Sequence, residues 1–437
     1  MSTLPVDGVE SVTFKAITID SEKLPMKVDI TEGVSNIDIY EHMDKPYLTG
    51  AIAFSDTKDI IASMDIGGGE KITIELQSTR DNSKPISKTF YLDTIVASSK
   101  LGDNTEFFIL HLIEDIGYIS NLKNINRAYS DNPSNIIKNV AKDFLDKELE
   151  TSGTGQKNMK VIVPNLNPIE TMSWIKNMAC TAEGYPFYLL SSLVNDKLTF
   201  VDLKTLLTSG SMNPDVPFSY GQATMSINSP LLPSHRRVIK NYNFANTENL
   251  FALIQKGLVG AKYKYLDPTH KHNEDNEFVF DIQKDVMGLL DTLPDANSPH
   301  YSDIYKVEGK SFNEFPSRSI TQVGSTEAYE KGKSYQQSQD GAHYKLNIIN
   351  RSIDHLMKKN PLTMTVNGID FLGGTNHLTT GRKIAVRFMR NMAPEDTDYF
   401  FDNKKSGDFL IFSAKHSFDR ETYTVSLSCL KLFDGKL

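Results

Sequence analysis

Apolar and polar residues alternate through most of the first 115 positions. The runs "SVTFKAITI", "LPMKVDITEG", "NIDIYEHM", "YLTGAIAFSD", "EKITIEL", "KTFYLDTIVASS" and "TEFFILHLIED" put apolar residues largely at alternate positions, with Gly, Asn, Asp or Pro between them. A strand turns successive side chains to opposite faces, so a period of two predicts half-buried strands. Many short strands at close spacing predict a barrel or sandwich.

From residue 119 the period changes. Asn132 and Pro133 open a predicted helix whose single apolar face carries Ile136, Ile137, Val140, Ala141, Phe144 and Leu145. Asn167, Pro168 and Glu170 form a capping-box-like start for a second helix that buries Ile169, Met172, Ile175, Met178 and Ala179 and is expected to end at Gly184. The stretch "YPFYLLSSLVNDKLTFVDL" predicts a β-hairpin turning near Asn195 and Asp196. Strand signals return in "RRVIKNYNF" and in the pair "AKYKYLD" and "EFVFDIQ". Residues 286–342 are polar and rich in Ser, Gln, Asp and Gly, and loops of that length are usually functional or order on binding. A third helix over 344–359 places Leu346, Ile349, Ile353 and Leu356 on one face and stops before Asn360 and Pro361.

One strand is written twice. "GEKITIEL" at 69–76 and "GRKIAVRF" at 381–388 share Gly, Lys and Ile followed by alternating apolar positions. Downstream, "FYLDTIVASSKLGDNTEFFILHLIED" and "FLIFSAKHSFDRETYTVSLSCLKLF" each give strand, polar turn, strand. Twofold similarity of this kind marks a duplicated supersecondary unit. It also interprets Gly368, Gly373, Gly374 and Gly381 ahead of the second copy. A phosphate loop needs a strand, a glycine cradle and then a helix whose amides face the anion. Here a β-alternating run follows, and Gly381 has a counterpart in Gly69, so the glycines are expected to serve turns.

Composition narrows the chemistry. With 437 residues the chain can form about three domains and a large core without metals or disulfides. Its two cysteines, Cys180 and Cys429, are far apart in apolar surroundings, which suits buried thiols and excludes a disulfide framework or a four-cysteine zinc site. A net charge of -8 argues against general nucleic-acid affinity, although an acidic surface suits a protein that DNA passes without sticking. The first thirty residues lack the features of a signal peptide and no run of eighteen apolar residues occurs, so synthesis in the cytosol is expected.

Candidate sites are few. "HKHNED" could present His270 and His272 to a divalent metal with Glu274 or Asp275 nearby, but it falls in a predicted hairpin tip, where polar residues collect anyway. "KGKS" at 331–334 imitates the end of a Walker A motif but has Glu327 where the leading glycine belongs. Neither a G-x-S-x-G elbow nor an H-E-x-x-H motif is present, while 55 acidic residues leave carboxylate pairs for glycan hydrolysis open. Trp174 is expected to be a packed or interface aromatic.

Taken as segments, "IYEHMDKPYLTGAIAFSD" through "GEKITIEL", "NPIETMSWIKNMACTAEGYPFYLL" with "KLTFVDLKTLL", and "GRKIAVRF" with "SGDFLIFSAKHSFDRETYTVSLSCLKLF" resemble the central baseplate hub protein of contractile-tailed bacteriophages. The resemblance implies an α+β, mainly β fold with two similar tube-type β-barrel modules, an inserted small α/β domain and a long polar insertion. The expected division is a first module over 1–118, the α/β domain over 119–210, the start of the second module over 211–285, the polar insertion over 286–343, and a helix with the rest of the second module over 344–437. It implies a homotrimer of pseudo-sixfold symmetry that joins a tail tube protein to a separate central spike protein, contacts other baseplate proteins and encloses a channel for DNA. The expected place is the virion tail, assembled in the host cytoplasm. No catalytic, cofactor-binding or metal-binding residue is carried over, and no enzyme activity or cofactor is expected. A tail-associated protein that binds or degrades glycans is the alternative.

Overall fold

The computed structural model describes all residues except 1–11, 22–25, 79–84, 103, 153–157, 221–236, 245–249, 256–260, 267–276, 281–284, 287, 291–292, 294–305, 312–318, 324–340, 358–360, 373–377, 390–400, 403–404, 421 and 432–437. The fold is α+β and mainly β. The alternating N-terminal runs become β1 (Val12–Asp20), β2 (Val28–Asp29), β3 (Val34–His42), β4 (Thr49–Asp56), β5 (Lys71–Ser78), β6 (Ile86–Gly102) and β7 (Thr105–Glu114). Burial follows the alternation: Ile72, Ile74 and Leu76 of β5 face inward, as do Gly50, Ile52 and Phe54 of β4. The short β2 is the exception to its long sequence run, because a 3-10 turn at Thr31–Gly33 cuts it off.

The inserted unit contains β8 (Ala128–Asp131), β9 (Leu149–Ser152), β10 (Met159–Ile162), β11 (Phe187–Leu190) and β12 (Leu198–Asp202). Two helices pack on these strands, Pro133–Leu145 and Pro168–Met178. The Asn132 side chain accepts from the Asn135 amide, and Asn167 with Glu170 completes a reciprocal capping box. The second helix ends at Met178 rather than running to Gly184. Ala179 is already extended and Cys180 bridges to Pro186, so Gly184, at φ +103°, serves the turn between them. Ile136, Ile137, Val140, Met172, Ile175, Phe187 and Phe200 form this unit's own core.

The second half resumes with β13 (Phe218–Tyr220) and β14 (Asn241–Phe244), followed by β15 (Ala261–Leu266), β16 (Glu277–Phe280), β17 (Lys306–Val307), β18 (Lys310–Ser311) and β19 (Ser319–Val323). β15 and β16, expected at the start of the second module, do pair with each other, but in a separate three-stranded sheet where β15 takes β19 on its other edge. The polar insertion therefore supplies a strand. The third helix spans Gly341–Met357 and buries Ile349 and Ile353. The chain closes with β20 (Leu362–Asn367), β21 (Lys383–Phe388), β22 (Gly407–Asp419) and β23 (Tyr423–Leu430).

Lys71 and Lys383 open equivalent strands. β5 meets β6 with Lys71 opposite Tyr91 and Ile72 opposite Phe90, and β21 meets β22 with Lys383 opposite Leu410 and Ile384 opposite Phe409. The next ladders match as well: Leu92 faces Leu112 before the register slips to Thr94–His111, and Ile411 faces Cys429 before it slips to Ser413–Ser428. A bulge thus recurs at the same step. Further out, Ile52 lies between Leu110 and Ile37 in β7-β4-β3, as Met364 lies between Leu427 and Tyr242 in β23-β20-β14. The outermost partners differ, since β1 runs antiparallel to β5 while β13 runs parallel to β21.

The paired glycines explain themselves at this level. The Gly69 amide donates to the Leu92 carbonyl and the Leu92 amide to Glu70, both at 2.8 Å; Gly381 donates to Ile411 at 2.8 Å and Ile411 to Arg382 at 2.9 Å. Both glycines hold left-handed backbone, φ +84° and +78°. A side chain there meets its own carbonyl, so Gly69→Ala and Gly381→Ala are each expected to cost about 1–2 kcal/mol in urea unfolding. Space is not the issue at Gly381, where an added Cβ would lie 3.5 Å from the nearest atom.

Candidate functional site

The two modules share one hydrogen-bonded sheet, in the order β14-β20-β23-β22-β3-β4-β7-β6-β5-β1-β2. The seam is the C-terminal half of β22, which holds β23 on one edge and β3 on the other, from Ser413 opposite His42 to Asp419 opposite Asn36. Across it, Ser417 Oγ donates to Asp38 Oδ1 at 2.7 Å and Lys415 Nζ lies 2.9 Å from Asp38 Oδ2. Arg420 closes the end of the seam by donating to the Val34 and Glu32 carbonyls.

Beneath the seam lies a fully buried polar cluster. Glu41 of β3 accepts from the Leu193 amide at 2.6 Å and from the Thr380 amide at 3.4 Å, and its Oε1 lies 3.4 Å from His416 Nε2 on β22. The other ring nitrogen, His416 Nδ1, shares a 2.7 Å hydrogen bond with the Tyr423 hydroxyl on β23. Burial by itself would raise the Glu41 carboxyl, but His416 and the two amides outweigh it and hold the group below the ordinary carboxylate range. One carboxylate thereby ties together both modules, the hairpin loop of the inserted unit and the residue that precedes Gly381. The described end of the glycine-bearing stretch delivers a backbone amide, that of Thr380, to a protein carboxylate.

A second cluster fixes the same hairpin loop to the first module. Lys88 Nζ donates to the Asn195 carbonyl at 2.8 Å and lies 3.0 Å from Asp196 Oδ1 and 3.7 Å from Glu114 Oε1. Glu114 Oε2 accepts from the Leu48 amide at 2.7 Å and from Ser191 Oγ at 3.1 Å. Here burial wins over the attraction of Lys88, and the Glu114 carboxyl is pushed up. Residues 191–196 therefore engage two buried carboxylates. Such clusters tie elements together: Tyr423 holds the His416 ring through Nδ1, and Ser191 and Lys88 are held by their own hydrogen bonds.

The buried ionisable residues Glu41, His416, Lys88 and Glu114 were not singled out from sequence, yet each left a trace. In β3 the inward positions read Ile37, Ile39, Glu41, and in β22 they read Ala414, His416, Phe418. Lys88 stands in phase with Phe90 and Leu92, and Glu114 with Leu110 and Leu112. A charge in the apolar phase of a strand signals a paired interior group.

His270, His272, Glu274, Asp275, Glu327 and the "KGKS" stretch lie outside the described residues. Among the described residues no group of three or more His, Cys, Asp or Glu is placed to hold a metal. Cys180 and Cys429 are buried and not joined in a disulfide, and burial pushes the Cys429 thiol far up, leaving it protonated. Trp174 packs at the margin of the inserted core. Among the described residues no helix is long and apolar enough to cross a membrane.

The sequence matches no protein-family model. No curated protein matches it either. Solved structures do match in fold. A 43 kDa tail protein of prophage MuSo2 from Shewanella oneidensis aligns with a TM-score of 0.53 at 11% identity, over 95% of this chain and 98% of that one. A tail protein from Neisseria meningitidis MC58 aligns with a TM-score of 0.50 at 12% identity, over 96% and 97% of the two chains. At such identities the likeness concerns the fold, which this chain shares with phage tail proteins along nearly its whole length.

Proposed function

We propose that the chain is a structural subunit of a phage tail baseplate hub, a homotrimer of pseudo-sixfold symmetry that joins the tail tube to the central spike and encloses a channel for DNA. The observation that carries this is the register-matched duplication of β3-β4-β7-β6-β5 in β14-β20-β23-β22-β21. A polypeptide that presents one strand order twice lets three copies offer six similar units around an axis, the match that a threefold body needs against a sixfold tube. The shared fold with phage tail proteins agrees with a role in the tail. In this scheme the buried carboxylate clusters hold the modules and the inserted unit as one rigid body. The domain boundaries, the spike and tube partners and the virion location belong to the same proposal.

Sedimentation of the purified full chain is expected to give three times the 49.0 kDa subunit mass, and negative-stain images a ring with six similar lobes and a central hole. A monomer that cleaves cell-wall or capsule glycan would overturn the proposal in favour of the glycan-active alternative. A solid particle without a hole would also overturn it.

A further inference from the structure

The internal seam has a counterpart that is left open. β22 is covered by β3, yet the matching stretch of β6 has no strand on its outer edge among the described residues: β5 pairs only with Ile86–Tyr91. Equally, the counterpart of β3 is β14, which among the described residues ends the sheet and is paired on one edge only, by β20. Each module therefore carries both halves of a seam, and the single chain joins one of the two possible seams. Burial reports the difference. Ala414, His416 and Phe418 on β22 are buried, whereas Ser98, Ser99, Lys100 and Leu101 on β6 are exposed, and Val96 and Leu101 show 53% and 65% of their surface. The stretch mixes Val96 and Leu101 with Ser98, Ser99 and Lys100, and a strand edge without a partner is a template for pairing.

We infer that β6 pairs edge to edge with β14 of a second copy of this chain, in the register that β22 uses toward β3. The inference rests on the proposed trimer and adds which strands make it. Ladder positions fix the correspondence: Ser99 faces Phe107 as Ser417 faces Thr424, and Asn243 faces Thr363 as Asp38 faces Ala51. Ser417 lies opposite Asp38 within the chain, so Ser99 lies opposite Asn243 of the second copy. The chemistry repeats with the position. Ser417 donates to the Asp38 side chain, and a serine and an amide, Ser99 and Asn243, are poised for the same bond. Next to it, Lys100 falls opposite Tyr242, so its stem and ammonium can lie over the ring. Tyr242 and Phe244 are only half-buried in the single chain, while their counterparts Ile37 and Ile39 are buried under the internal seam. Antiparallel pairing between copies also suits a cyclic assembly, because the donor edge and the acceptor edge are different surfaces.

The test is cross-linking in the full chain. Ser99→Cys with Asn243→Cys places two thiols opposite each other across the new seam, within the reach of a disulfide. Mild oxidation is expected to give a covalent trimer on non-reducing gels, with at least about tenfold less cross-linking for Ser99→Cys with Tyr242→Cys, where one thiol moves to the other face of the strand. The native thiols are buried and do not compete. A trimer by sedimentation that stays uncross-linked in the first variant, or cross-links better in the second, overturns the strand assignment while leaving the trimer intact. Covalent dimers from Ser99→Cys alone, or a ladder running past three, overturn it in favour of other edge contacts. A protein that sediments as a monomer overturns both the assignment and the proposed function.

Discussion

Phe409→Ala is expected to lower the free energy of unfolding by about 3–5 kcal/mol, and Phe90→Ala by a similar amount. The two rings occupy the same position in the two copies of the strand pattern, Phe90 opposite Ile72 and Phe409 opposite Ile384. Both are fully buried in one continuous apolar cluster that draws on both modules. Each truncation removes the transfer free energy of a phenyl group and leaves a cavity between sheet layers that rigid strands cannot collapse around. Urea midpoints with unchanged slope would measure the loss. A cost above about 3 kcal/mol at one site and below about 1 at the other would show that the duplication is geometric only, with the stability resting on a single module.

Glu41→Ala is expected to cost about 3–5 kcal/mol, the range for removing one partner of a buried pair. The Leu193 amide loses its 2.6 Å acceptor and His416 its facing carboxylate, and neither can reach water where they lie. Glu41→Gln keeps an acceptor and is expected to lose less. The pH dependence separates charge from shape. Because the folded protein holds the Glu41 carboxyl below its ordinary range, the contribution of its charge is complete above the unfolded value, about pH 4.3, and is lost as the pH falls through the lower folded value. The difference between wild type and Glu41→Gln should therefore shrink in acid. Glu114 runs the other way: its carboxyl is raised in the folded state, so its burial is unfavourable at neutral pH and is relieved as the pH falls through the raised value. Glu114→Gln should thus be tolerated better than Glu41→Gln at pH 7, measured by urea unfolding of both variants. The opposite order would mean that the amides around Glu41 do not offset its desolvation.

The local signals and the structure part company at identifiable residues. Capping chemistry was legible: Asn132 and Asn167 start helices because their side chains satisfy amides within one turn, a contact set by nearest neighbours. The repeat was legible because Gly69 and Gly381 must be glycine at positive φ and because two strands under one fold constraint keep one apolar phase. The pairing of β15 with β16 was legible but their separation into another sheet was not, since an alternating strand specifies a buried face and leaves its outer edge open; the strand on that edge of β15, β19, lies in a stretch with little periodicity. The buried clusters were half legible. A charge in phase with Ile37 and Ile39 shows that Glu41 needs a partner, but that partner comes from residues 193, 380 and 416.

What the sequence determined by itself is therefore everything governed by short-range periodicity and backbone sterics: the mainly β character, the capped helices, the doubled strand pattern and the need for glycine at two turns. What only the tertiary structure decided is which edges meet, namely that β22 of the second module closes on β3 of the first, while its counterpart on β6 has no such strand among the described residues. The reason is physical. Side-chain alternation encodes the faces of a strand, whereas strand edges are made of backbone amides and carbonyls that are the same at every residue, so pairing is selected by the packing of the whole chain.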